Sequence, residues 1–175
     1  MLANVYSQDD ADENARALLD EAAADSFARL PQDFLWLVGM ANYAETAAHL
    51  GDAGAAAALY ERLEPWGGHV AYNVVHVKGS VEHYLGLLAA TLGRHDRAIE
   101  HFTAAAEAHE RMGAPLFLAR TQFGLARSLL ARGAAEDAAR AGELLESAAA
   151  TAAELGAATL ERRATATAQE RSPTR

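Results

Sequence analysis

Seven histidines, His49, His69, His76, His83, His95, His101 and His109, are the side chains of this 175-residue chain with the strongest claim to metal chemistry. A zinc ion needs several ligands at about 2.0–2.3 Å, and a helix supplies two of them best as a His-x-x-x-His pair, whose rings sit on one face a turn apart. No two histidines have that spacing. His76 and His83 would share a helical face two turns apart, about 10 Å along the axis, which is too far for one ion. His109-Glu110 begins like the helical motif of zinc proteases and lacks its second histidine. Packed or solvated imidazoles, with no metal, are the expectation.

Nucleophilic chemistry finds no better support. The chain has no cysteine, and Ser80, Ser128 and Ser147 are scattered with no Gly-x-Ser-x-Gly elbow to present a hydroxyl. Glu107 and Glu110 lie on polar helix faces, as solvated charge. Arg111, Arg120 and Arg127 suggest an anion site, but ordinary surface pairs with neighbouring acids are the expectation. The chain is therefore expected to be no enzyme and to carry no cofactor.

The elements that must position these residues are helical. Forty-four alanines and twenty-two leucines stand against seven valines and one isoleucine, a mixture that favours helix over strand. The length suits one domain with its own core. The absence of cysteine points to a cytoplasmic protein, and Met1 to Gln8 has no basic stretch of the kind that opens a secretory signal. No apolar run approaches the roughly 20 residues that span a membrane. The net charge of −9 is concentrated: residues 1 to 65 hold twelve acids against Arg16, Arg29 and Arg62, and the rest of the chain is balanced. Such a surface repels phosphate backbones, so no nucleic-acid binding by this chain alone is expected. The acidic amino-terminal end suits a basic partner segment.

An internal repeat organises the chain. Leu92-Gly93, Ala98 and Phe102 return 42 residues earlier as Leu50-Gly51, Ala56 and Tyr60. Ala98, Phe102, Ala105 and Gly113 return 43 residues later as Ala141, Leu145, Ala148 and Gly156, while Leu85-Gly86-Leu87 matches Phe123-Gly124-Leu125 at an offset of 38. Apolar positions recur at three and four residues and glycine marks the exits, so each unit reads as two amphipathic helices. The expected helices are 9–24, 32–50, 53–63, 74–92, 95–112, 116–132, 137–155 and 157–169. They form a capping helix within 9–30, repeats at 32–66, 74–113 and 116–156, a final helix at 157–169 and a disordered tail at 171–175. Pro31 and Pro115 suit first turns, and Asp52 and Asp96 are placed to cap the helices that follow Gly51 and Gly93. Ala56, Ala98 and Ala141 let one helix approach the next, and Tyr60, Phe102 and Leu145 fill the gap a turn later. One such unit cannot bury its apolar face alone, so the units must stack.

This small-large pairing around Leu85-Gly86, Ala98, Phe102 and Ala105 resembles the tetratricopeptide repeat over residues 34 to 157. The resemblance implies an all-α, right-handed solenoid of about eight helices. The runs Leu35-Trp36-Leu37-Val38-Gly39-Met40, Gly79-Ser80-Val81 with Tyr84-Leu85-Gly86-Leu87-Leu88-Ala89, and Arg111-Met112-Gly113-Ala114 with Leu118-Ala119-Arg120-Thr121-Gln122 look like the carboxy-terminal repeat region of LuxR-type and cyclase-ATPase bacterial signalling regulators. Only the repeat module carries over, because the chain has no phosphate-binding loop, cyclase domain or DNA-binding helix-turn-helix.

In such stacks the first helix of each unit lines a concave groove. The register projects Asn42, Glu45 and His49, then Ser80, His83 and Tyr84, then Thr121, Gln122 and Ser128 into it, where they would bind a peptide or partner segment. The two-lysine clamp that some such repeats use on a peptide carboxylate cannot form, because Lys78 is the only lysine. The resulting expectation is a non-catalytic interaction or regulatory module of a bacterial signalling system. The alternatives are a small-molecule-sensing repeat domain and a truncated fragment of a larger ATPase regulator.

Overall fold

The computed structural model of the chain describes residues 12–170, and the expectations for residues 9–11 and for the tail at 171–175 lie outside them. The described residues are mostly helical, in eight α-helices. These are α1 (Asp12–Ala23), α2 (Trp36–Leu50), α3 (Ala53–Leu63), α4 (Val81–Thr91), α5 (His95–Arg111), α6 (Pro115–Arg132), α7 (Asp137–Glu154) and α8 (Ala158–Glu170). A 3-10 turn at Glu64–Trp66 and two short strands, β1 (Val70–Tyr72) and β2 (Val77–Ser80), stand between α3 and α4. No helix among the described residues is long and apolar enough to cross a membrane.

From α4 onward each helix packs on the next, and α2, α4 and α6 also touch one another in turn. The turns at 92–94, 112–114 and 155–157 close alike. In each, a glycine N–H donates to the carbonyl three residues back and the next N–H to the carbonyl five back, as in Gly93 to Ala90 and Arg94 to Ala89. The glycine takes φ near +70° at position 93, a left-handed conformation that would cost a side-chain-bearing residue about 1–2 kcal/mol.

The repeated alanines are all buried, and so are their larger partners a turn later, Tyr60, Phe102 and Leu145. Phe102 shows what the pairing achieves. Its ring lies between α4 and α6 against two glycines: a Cβ would stand 2.8 Å from the ring at Gly86 and 2.7 Å at Gly124. Two backbones without side chains thus make the slot that one aromatic ring from α5 fills. Phe27, in the turn after α1, is also fully buried and stacks on Tyr43 at 5.4 Å between ring centroids, which anchors the first helix on α2.

Three expectations need correction. The helix expected from residue 74 begins at Val81, because residues 70–80 form an antiparallel hairpin in which Val70 pairs with Ser80, Ala71 with Gly79 and Tyr72 with Val77. Four of the seven valines fall at positions 70, 74, 75 and 77, a β-branched run that favours strand. Asn73 turns the chain, since its Oδ1 accepts from the N–H groups of Val75 and His76. Second, α2 begins at Trp36 rather than 32, because the Asp33 carboxylate accepts from Leu35 N–H at 2.8 Å and holds the preceding residues in a turn that leaves Pro31 outside the helix. Third, Asp52 caps α3 by accepting from Ala55 N–H at 2.9 Å, but Asp96 lies inside the first turn of α5 and pairs with Arg132 at 3.1 Å instead.

Candidate functional site

The hairpin positions a polar cluster that the helices alone would not assemble. Between Ala71 and Tyr72 the register slips, so Lys78 is the extra residue of a bulge, a device that re-aims a side chain out of the ladder. Lys78 Nζ donates to Glu45 Oε2 on α2 at 2.8 Å, and Arg120 on α6 donates to Glu45 Oε1. The Glu45 side chain is only 9% exposed. Burial pushes its carboxyl up, but the Arg120 and Lys78 charges overcome that and hold it below the usual carboxylate range. Tyr84 is fully buried, and its hydroxyl donates to the Lys78 carbonyl at 2.5 Å. Burial first, then the Glu45 charge, pushes that phenol well above its ordinary range.

A chain of hydrogen bonds lies next to these ions. The Ser80 backbone N–H donates to His109 Nε2 at 2.9 Å, so a neutral His109 carries its proton on Nδ1. That Nδ1 lies 3.1 Å from Thr121 Oγ1, which lies 2.9 Å from His83 Nδ1. The backbone donor at one end fixes the first step, in which His109 Nδ1–H donates to Thr121 Oγ1. Burial and then the Arg120 charge lower the pKa of both imidazoles, His83 by far the more. Gly79, at φ +90°, makes room for this contact, because a Cβ there would stand 2.7 Å from His109 Nε2.

These facts correct the expected groove. Asn42, Ser80, His83, Tyr84, Thr121 and Ser128 are buried rather than facing open solvent. Glu45, Ser80, His83, Tyr84 and Thr121 do come together, as an internal network bonded to itself. Ser128 Oγ instead donates to the Gly124 carbonyl of its own helix. Gln122 turns towards α7, where Ser147 Oγ donates to its Oε1 at 3.2 Å, and His49 sits at the far end of α2 with its Nε2 3.1 Å from Asp12 Oδ1. Arg120 leaves the expected set of surface pairs for Glu45, whereas Arg111 keeps a distant local pair with Glu107 at 3.9 Å. Arg127 and Arg163 lie over the Phe123 ring, at 5.8 and 5.2 Å from its centroid. No group of three or more His, Asp or Glu among the described residues is arranged to hold a metal ion.

A surface that can receive something forms where the hairpin meets the start of α2 and the 3-10 turn. A cleft of about 360 Å³ has Phe34, Trp36, Trp66 and Tyr72 in its walls, with Asp33 and Asn73 among its polar residues. The two indoles hold each other at 5.5 Å between centroids with their planes 54° apart, and His69 meets Trp66 edge-on at 5.4 Å. Beside the cleft, Val74 and Val75 at the hairpin turn are 89% and 77% exposed. The turn leaves Asn73 Oδ1 occupied by two backbone donors. The sequence signal was available in two places: Trp66 stands inside the Pro65-Trp66-Gly67-Gly68 break, and the valine run follows it.

Comparison with protein-family models, with curated proteins and with solved structures returned no match.

Proposed function

We propose that this chain is a non-catalytic protein-interaction or regulatory module, built as a tetratricopeptide-like right-handed solenoid of the kind that serves bacterial signalling regulators in the cytoplasm. The packing of each helix on the next, the contacts of α2 with α4 and of α4 with α6, and the equivalent turns support the stacked arrangement. The partner in this reading is a polypeptide segment, and it docks at the aromatic cleft and hairpin rather than on the polar residues of the first helices.

One observation carries the reading. Apolar side chains that a chain acting alone would bury are grouped in the open: Phe34 is 68% and Tyr72 65% exposed, next to Val74 and Val75. Exposed aromatic residues beside a cleft are what partner surfaces are made of, and the turn that presents them is held by its own hydrogen bonds. A photo-crosslinking residue at Val74, expressed in the native host, should capture one recurring protein that the same residue at Glu107, exposed on α5, does not. A Phe34→Ser, Val75→Ser variant should lose that capture while keeping its circular dichroism. Identical capture from positions 74 and 107, or capture untouched by the double variant, would overturn the proposal.

A second reading, a small-molecule-sensing repeat, is favoured by the cleft volume, which falls within the roughly 300–1,000 Å³ of ligand pockets. It predicts a metabolite lost on Tyr72→Ala while protein capture at position 74 persists.

A further inference from the structure

The cleft has one charged group and no basic one in its walls. Asp33 supplies the carboxylate, and the walls around it are aromatic. Ring faces attract cations through their quadrupole, most strongly for indole and more so when water is excluded. A carboxylate at the rim adds attraction and would repel an acidic occupant. We infer that the cleft seats an arginine or lysine side chain of a basic partner segment, with Asp33 as counter-ion and Trp36, Trp66 and Tyr72 as its aromatic surround. This rests on the interaction-module reading above and names what the partner must carry.

Charge on a larger scale agrees. Residues 1 to 65, which include Asp33 and Trp36, hold twelve acids and three bases, so a basic segment is drawn towards this end of the molecule before it docks. An acidic or neutral apolar segment gains nothing from that field. Asp33 is also preorganised, because the Leu35 N–H it accepts at 2.8 Å fixes its carboxylate where α2 begins. Tyr72 projects from the strand that leads into the exposed turn, so the aromatic wall and the apolar tip belong to one continuous surface.

The chain reports on this site without a label, since its two tryptophans, Trp36 and Trp66, both stand in the cleft wall. A capped short peptide alternating glycine and arginine should change the intrinsic fluorescence of the full chain saturably. Its alternating glycine–glutamate counterpart, and a glycine–leucine one, should bind at least about tenfold more weakly. Raising salt from about 0.05 to about 0.5 M should weaken the arginine peptide. Asp33→Asn, which keeps an oxygen for Leu35 N–H and so keeps the turn, should weaken it at least about fivefold, and Tyr72→Leu about tenfold. The inference is overturned if the leucine peptide binds as well as the arginine peptide, if Asp33→Asn binds as the parent chain does, or if no peptide gives a saturable change. In that last case, crosslinking from position 74 that still depends on Phe34 and Val75 would leave the interaction module standing and remove only its cationic anchor.

Discussion

The helices α5 to α8 and the segment from Glu64 to Ser80 solve the same problem, how to bury a surface, with different materials. The helices use alanine, leucine and glycine at repeating positions, and their backbone groups at the helix ends are satisfied by equivalent turns. The segment uses valines, a bulge, a left-handed glycine and an asparagine turn, and it satisfies polar groups by reaching across to α2, α4 and α5. The first design is modular, because each contact is repeated at the next turn. The second is singular: Lys78, Gly79 and Ser80 each meet a partner far away in sequence, and no other unit repeats them. The exposed cleft and the buried ionic network both draw residues from the singular region.

The modular region is best broken at its key aromatic. Phe102→Ala should empty the slot between Gly86 and Gly124 and cost about 3–5 kcal/mol, since neither glycine has a side chain to move into the space. That is a third or more of a typical domain's stability of about 5–15 kcal/mol. Chemical denaturation checks the size, and hydrogen exchange should show protection lost across α4, α5 and α6 together. A midpoint unchanged from the parent chain would mean that the repeat does not depend on this ring.

This part of the architecture was legible in the sequence because it is written in a local code. Ala56, Ala98 and Ala141 recur with their larger partners four residues later, and helix ends from α5 to α8 fall within one residue of expectation. The hairpin was not legible, because the valine run at 70–77 sits beside a strongly helical stretch, and apolar spacing alone does not separate a short strand from a helix start. Asn42, His83, Tyr84 and Thr121 read as groove residues because they are polar among apolar neighbours, and all four are buried. What periodicity could not show is the covering strand: β2 brings Lys78 and Ser80 to meet Glu45 and His109, and His109 in turn meets Thr121 and, through it, His83. The cleft needed residues 33, 66 and 72 to be brought together by that same hairpin, and no periodicity in the chain records such a meeting.

Gly79→Ala tests the singular region at its narrowest point. The new methyl would have to displace the His109 ring, 2.7 Å away, from a backbone angle that itself disfavours a side chain. The expected loss is about 2–4 kcal/mol, from overpacking and left-handed strain together. Unlike Phe102→Ala, it should also move Trp fluorescence, because Tyr72 and the cleft ride on the same hairpin. A variant as stable as the parent, with unchanged fluorescence, would show that the hairpin gives way without cost and does not hold the network.

The smallest effect probes the histidines that the hairpin covers. His83 and His109 have folded pKa values below the ordinary 6.5, owing to burial and to the Arg120 charge, with Lys78 also acting on His83. Well above pH ~6.5 both imidazoles are neutral folded and unfolded, so they make no difference to stability. Below it the unfolded chain takes up protons that the folded network refuses, and stability falls as pH falls, by up to about 1.4 kcal/mol per pH unit for each histidine until its folded pKa is reached. Glu45 acts in the same direction at lower pH, since its folded pKa is also depressed and its contribution is lost only as pH drops below the unfolded value of about 4.3. Denaturant midpoints measured between pH 7.5 and 5 (a window set by the ordinary histidine value of about 6.5) should therefore decline, with a shallower slope in His109→Gln. Glutamine can accept from Ser80 N–H and donate to Thr121 without ever titrating, so the fold survives while one proton-linked group is gone. If the slope is flat in the parent chain, or identical in the variant, the imidazoles are not held neutral by the lid, and the contrast between a repeated scaffold and a singular, charge-sealed hairpin loses its electrostatic half.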